Sequence, residues 1–570
     1  MKKHLLLLSA TILACSLNAQ NDVPKSLERG LIPSTYNRNA LTIVILDNNC
    51  TYISDIKQAT DNIIIPEKFD DNTVLTKCIK SASGKDEILS TINQSKLGNQ
   101  ILSTWFSRSA EGDFNMSLIA ERGMYNATAD DMIKASASKI GMNKIKDAGQ
   151  ALVNNSYIQV IEFKDVITMK EYYDRQDAAN YNYAKANNTQ YKPVERTKNG
   201  WKGSSVSYLF KIDPAYVDLL FNDMWIYADD DPAVRTQKKE LFDNANFSFS
   251  FVMEVANEAE GTQDNPNPNT GLPVQLTREQ LFARLVNSGI KASLYEFETK
   301  YEPFRVKTAL QTRKPLQAKI GTKEGIGVDQ RFFVLENIMN SKGEIKSKRQ
   351  GVILVKKVEN NSVVATASNI PMSKFYQTAG KRLEPGMTMQ QRNDYGVGLS
   401  MGAGGGALGG FYMKAEGNLA TISRMLPGIE NLIKVTQLKV FGSVAFDAGD
   451  YTTFDETTFT RFQLGISKGF YFMRNFSIAP FIAYGSESAT PMSYPEGYTI
   501  NADFLNIGTY LTANILYNLQ LVATLNIYGL LGTAYEKYDG EITGTYPYSY
   551  DYYFDGRTGA NLEFGLRYEF

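Results

Sequence analysis

The chain of 570 residues balances 60 Lys and Arg against 61 Asp and Glu, and a formal charge of −1 leaves no basic surplus to draw it to nucleic acid. Its one histidine is His4, inside a segment that reads as cleaved, so imidazole triads, His-ligated zinc and imidazole pH switching are excluded from the mature chain. No stretch after residue 20 approaches the ~20 continuous apolar residues of a spanning helix, so any membrane crossing has to be made by alternating strands.

Lys2 and Lys3 followed by the apolar run 5–13 read as a secretory signal over 1–19, with Ala19 before the expected cut and Gln20 after it. The other reading is a lipoprotein signal acylated at Cys15, which Leu13 fits poorly because a small residue is usual there. With Lys2 and Lys3 gone, 58 basic residues face 61 acidic ones. Cys50 and Cys78 remain. In an oxidising compartment they either close a disulfide or stay as two buried thiols, and spacing leaves both open.

Residues 20–165 alternate strand-like and helix-like runs: 41–46 a buried strand, 98–106 a helix, 114–120 a strand, 129–139 and 145–153 helices, 157–163 a returning strand. The order predicts a small α/β domain. With Glu121-Arg122-Gly123 after the 114–120 strand, it resembles the α/β domain of curli-secretion CsgG and TolB N-terminal type proteins.

Residues 166–300 read as a separate α+β region, with strands at 206–212 and 247–255 around Trp225. Asp229, Asp230 and Asp231 lack the ligand spacing and glycine of a calcium loop and read as a solvated turn before Pro232. Residues 257–273 read as a linker. Thr277 with Gln280 forms a capping box opening a helix whose Leu281, Phe282, Leu285, Ile290, Leu294 and Phe297 share one face.

Residues 301–392 predict a small β-barrel module, with strands at 316–320, 332–335, 351–358, 363–367 and 387–389. Their order resembles the C-terminal β module of the flagellar assembly protein FlgT, with Gln330 and Met387 near points where that pattern carries aspartate. The resemblance implies an assembly element and no catalyst.

Residues 393–570 alternate. In the last strand Ala560, Leu562, Phe564, Leu566, Tyr568 and Phe570 form one face, and Asn561, Glu563, Gly565, Arg567 and Glu569 the other. The same period recurs at 395–403, 409–418, 438–446, 461–472, 476–484, 505–515 and 519–528, which makes eight strands. Short turns fall at 473–475 and 517–518, and longer outward loops are expected at 448–457, 485–502 and 535–557, the last with Tyr546, Tyr548, Tyr550, Tyr552, Tyr553 and Phe554. The segment resembles the small OmpA-type outer-membrane barrels, and the resemblance implies that Phe570 is the terminal residue read by the barrel-insertion machinery. Parity aims Lys414, Glu416, Lys439, Arg461, Glu563 and Arg567 into the lumen, where an eight-stranded wall leaves room for side chains only.

Two motifs mislead. Ser467 in 465–469 matches a nucleophile elbow but sits mid-strand without a histidine partner, and Gly404, Gly406 and Gly409 spell a dinucleotide fingerprint that suits a strand turn. The expectation is therefore multidomain: a periplasmic α/β part and a small β module, then an eight-stranded antiparallel transmembrane β-barrel. No catalytic, metal or cofactor residue is nominated. The expected role is a non-enzymatic outer-membrane anchor for an interaction or assembly module in the periplasm, with membrane lipid and envelope proteins as partners. The alternatives are a lipid-modifying enzyme, or a narrow channel or transport accessory.

Overall fold

In the computed structural model the described residues are 38–115 (without 73, 75 and 81), 153–193, 199–226, 230–263, 275–339, 345–361, 371–425 (without 407), 432–546 (without 453–454), 554 and 556–570. The signal segment and the runs expected at 129–139 and 363–367 lie outside them, as does most of 114–120 and of 145–153.

Strand β1 (Asn39–Asp47) is apolar on both faces, and it is covered on both. It pairs in parallel with β2 (Phe69–Asp71), β3 (Cys78–Lys80) and β4 (Ser156–Thr168). The sheet then turns antiparallel through β5 (Gly200–Ile212) and β6 (Phe249–Thr262). One face packs on α1 (Gly84–Gln94) and α2 (Leu97–Trp105) around Trp105, Trp225 and Phe242. The other is covered by α3 (Arg278–Lys300), through Leu281, Phe282, Leu285, Ile290, Leu294 and Phe297. Both halves of the capping box form, Gln280 N–H on Thr277 Oγ1 at 3.3 Å and Thr277 N–H on Gln280 Oε1 at 2.9 Å. Gly261 makes this packing possible: a Cβ there would lie 2.0 Å from the Leu281 carbonyl oxygen.

This sheet corrects two expectations. The boundary at 165/166 falls inside β4, so 20–165 and 166–300 do not divide here but share one sheet and its cores. Residues 257–262 are strand and not linker, because Ala259 and Gly261 turn inward while Glu258 and Glu260 stay exposed, a strand pattern hidden under a polar composition.

The middle module is an antiparallel sheet in the order β7 (Lys307–Ala309), β13 (Thr388–Arg392), β10 (Arg331–Met339), β11 (Ile345–Lys357), β12 (Ser373–Gly380), β9 (Leu316–Ala318), β8 (Thr312–Arg313). It wraps one core of Phe332, Val334, Ile353, Val355, Phe375 and Met389. β7 and β8 are two halves of one bent stretch, 307–313, which pairs with β13 at one end and with β9 at the other. Leu310 N–H on the Met387 carbonyl and Gln311 N–H on the Gln317 carbonyl carry the pairing across the bend, so the sheet closes into the small barrel that was expected.

The C-terminal strands are β14 (Val397–Gly406), β15 (Gly410–Asn418), β16 (Leu438–Thr452), β17 (Asp455–Lys468) continued past Gly469 by β18 (Phe470–Met473), β19 (Phe476–Pro491), β20 (Tyr498–Asn514), β21 (Leu519–Tyr538) and β23 (Gly559–Glu569). The short β22 (Glu541–Tyr546) folds back on β21. Each strand pairs antiparallel with the next, and β23 returns to β14 from Gly398–Glu569 to Gly406–Asn561. The eight-stranded closed barrel is thereby borne out, including its strand order. Its outer face is apolar and bare: Leu464 is 59% exposed, Ile527 67% and Phe564 60%. A belt of this kind belongs against lipid.

All three outward loops shrink: within 535–557, β21 runs to Tyr538 and β22 takes Glu541–Tyr546. β16 reaches Thr452 and β17 starts at Asp455, while β19 reaches Pro491 and β20 starts at Tyr498. Above Tyr484 the outer face turns to Ser486, Ser488 and Thr490. That change ends the apolar alternation but not the backbone pairing, which continues from Gly485–Phe504 to Ala489–Ile500.

Candidate functional site: a filled barrel interior

Alternation along each strand aims every second side chain inward, and the wall brings together residues far apart in sequence. At one end, Glu416 takes Lys414 at 3.1 Å, Lys439 at 2.7 Å and Arg567 at 2.9 Å. Gln520 accepts the Arg567 Nε–H at 2.5 Å. Lys439 also reaches Glu569 at 3.0 Å. Lys414 lies 3.6 Å above the Tyr510 ring, which stacks on Phe481 and fills the middle of the lumen. A row of amides crosses there: Asn526 donates to Asn506, Asn506 to Gln463, and Gln463 to Ser443.

At the other end Arg557, fully buried, pairs with Glu487 at 2.5 Å and Asp447 at 3.2 Å and lies 3.7 Å over the Phe459 ring. Arg461 stands 3.7 Å from the same Glu487. Phe554 packs edge-on against Phe459, so the only described part of the tyrosine-rich stretch 547–555 points into the barrel; the side chain of Tyr546 and residues 547–553 lie outside the described residues. Glu563 is half-buried, accepts from Asn561 at 3.2 Å, and lines a cavity of about 20 Å³ with Lys414 and Arg461. That is room for a water molecule and no larger solute.

The six nominated lumen residues are thus placed inward. The sequence reading missed Glu487 and Arg557 because they lie in stretches read as loops, and Asp447 because it falls between the strand read to 446 and the loop read from 448. The parity of Glu569 was visible, but beside Lys439 of the barrel it takes a partner, Arg331, from another module, whose neighbours also reach the rim.

Together they close the neighbouring mouth. Arg331 at the start of β10 pairs with Glu569 at 3.2 Å and with Asp394 at 2.9 Å. Asp329, buried and left-handed at φ 61°, accepts from the Tyr376 hydroxyl at 2.6 Å, Asn418 Nδ2 at 2.8 Å and the Gln437 N–H at 2.5 Å. Burial and the facing Asp329 carboxylate hold the Tyr376 phenol well above its ordinary range, so it stays a donor. Asn514 donates to the Thr378 carbonyl at 2.5 Å and Tyr517 to that of Arg349 at 2.9 Å. The helix α4 (Leu419–Met425), between β15 and β16, adds Arg424 on the Val328 carbonyl. The β module is therefore bonded to the barrel rim at β15, β16, β20, β23 and the 515–518 turn. A second cavity at this junction, between Asp329, Asp394 and Lys439, measures about 30 Å³.

The module is tied the other way to α3. Glu298 takes Lys68 of the α/β unit, Gln391 at 3.1 Å and Asn393 at 3.5 Å, while the Tyr295 hydroxyl donates to the Asp394 carbonyl at 3.2 Å.

Cys50 and Cys78 are free, half-buried thiols packed against one apolar cluster, and burial pushes both thiols up. Among the described residues no group of His, Cys, Asp and Glu is placed to hold a metal. Ser467 is buried inside β17, with no helix after it, and Gly404, Gly406 and Gly409 surround the β14–β15 turn.

No protein-family model matches the chain, and no curated protein matches it significantly. Solved structures similar to it include a major outer membrane protein from Thermus thermophilus, 17% identical, covering 30% of this chain and 98% of its own, with a TM-score of 0.21. The attachment invasion locus protein Ail of Yersinia pestis is 12% identical over 30% of this chain and 95% of its own, TM-score 0.18. Neisserial surface protein A is 10% identical over 30% and 94%, TM-score 0.19. These likenesses concern the barrel alone and go no further than its fold. The C-terminal part is a β-barrel of the small outer-membrane type.

Proposed function

We propose that the protein is a non-enzymatic outer-membrane anchor that holds its α/β unit and β module in the periplasm as an interaction or assembly platform. One observation carries this reading: among the described residues ion pairs, amides and rings fill the lumen, and the β module is bonded across one mouth. A barrel so filled offers no path for solute and no cleft for a substrate, whereas its apolar belt suits it to hold on to a membrane. The polar ties through Asp329, Arg331 and Glu298 support a platform held in one orientation to that membrane.

In vivo crosslinking followed by purification of the full-length protein tests the reading. Envelope proteins should be recovered that depend on residues 20–392. Recovery of bulk porins alone would sink the platform role. Protease added to intact cells checks the topology: 20–392 should survive and 492–497 should be nicked.

A further inference from the structure

We propose that the barrel rim under the β module carries a basic collar that binds the headgroups of anionic phospholipid in the leaflet on that side. The proposal rests on the barrel spanning a membrane.

Two rim turns are apolar and bare on this side. Phe472 is 60% exposed and Met473 62%, while Ile515 is 51% and Leu516 44%. A backbone bond from Asn514 N–H to the Asn475 carbonyl sets the two turns side by side. Cations gather next to them from both modules. Arg474 is exposed in the first turn. The Arg349 guanidinium is sandwiched between the rings of Phe333 at 3.8 Å and Tyr517 at 4.8 Å, which pins β11 against the second turn. Lys348, next to Arg349 along β11 and across from Glu336, is exposed on the other face of the strand. Lys381 donates its N–H to the Gln350 carbonyl at 2.7 Å, so exposed Lys381 and Arg382 stand one residue from Arg349.

Two carboxylates lie within this group. Glu336 stands across from Lys348 and accepts from Gln350, and Glu384 pairs with Arg382 at 2.7 Å and Arg313 at 3.9 Å. The balance stays positive. Exposed apolar turns with cations at their edge match a lipid surface, where the turns meet acyl chains and the cations meet phosphate. A protein partner would leave the apolar turns, which continue the belt, facing headgroups.

The test uses the full-length protein in nanodiscs of phosphatidylcholine, alone or with a phosphatidylglycerol minority, against a K348Q/K381Q/R382Q/R474Q variant. Retained lipids are counted by native mass spectrometry, and heat-dependent gel mobility reports whether the barrel is folded. We expect the wild type to retain the anionic lipid several-fold over its share at low salt, an excess that shrinks at high salt and vanishes in the folded variant. Equal retention of both lipids by the wild type, or an undiminished excess in the variant, would overturn the collar. Failure of the wild type to enter phosphatidylcholine discs at all would instead sink the membrane reading and the collar with it.

Discussion

Glu416 and Arg557 show how single side chains hold the barrel interior. Each is buried and serves at least two partners of opposite charge. Removing one member strands the others without water, a loss of about 3–5 kcal/mol in a buried pair. Glu416→Gln should therefore cut the unfolding free energy of the barrel by that order, seen as a lower denaturant midpoint in heat-dependent gel mobility, while Arg567→Lys should lose less. An unchanged midpoint for Glu416→Gln would mean the cluster is solvated. The thiols allow a second prediction at this scale. Burial raises both, so little thiolate forms in the folded protein near neutral pH, and the thiolate is the reactive species. Alkylation of Cys50 and Cys78 should be slow in the native state, accelerate as pH rises past the ordinary thiol range, and become fast on unfolding. Mass spectrometry would reveal a disulfide if that picture is wrong.

Among the elements, α3 and the junction around Asp329 decide how the parts sit. Gly261→Val would drive a side chain into the Leu281 carbonyl and should detach α3 from β6, with a loss of several kcal/mol and early proteolysis within 278–300. Asp329→Ala removes the acceptor shared by Tyr376, Asn418 and Gln437. It should loosen the β module from the barrel: an engineered Thr378→Cys/Asn514→Cys crosslink should form readily in the parent and poorly in the variant. Equal crosslinking would place the docking energy elsewhere. The capping box of α3 was legible because Thr277 and Gln280 are three residues apart in one chain. The docking of Asp329 was not, because its three partners come from three distant segments.

For the whole molecule, the filled lumen predicts a flat trace in planar bilayers, even at high protein load. Stepwise conductance would show that the ion pairs and the β module open. Strand parity determined the eight alternating strands and the inward set of Lys414, Glu416, Lys439, Arg461, Glu563 and Arg567, because a strand's period of two is a local property that survives in any alternating run. The short and long connections between the runs indicated the up-and-down order. What the tertiary structure decided is different in kind. The union of 20–165 with 166–300 in one sheet, the entry of Asp447, Glu487 and Arg557 into the lumen and the closure of one mouth through Arg331 and Asp329 all depend on pairings between segments tens to hundreds of residues apart. Nothing in the local pattern of either partner encodes such a pairing. It arises only when burial forces each charge to find its counterpart away from water.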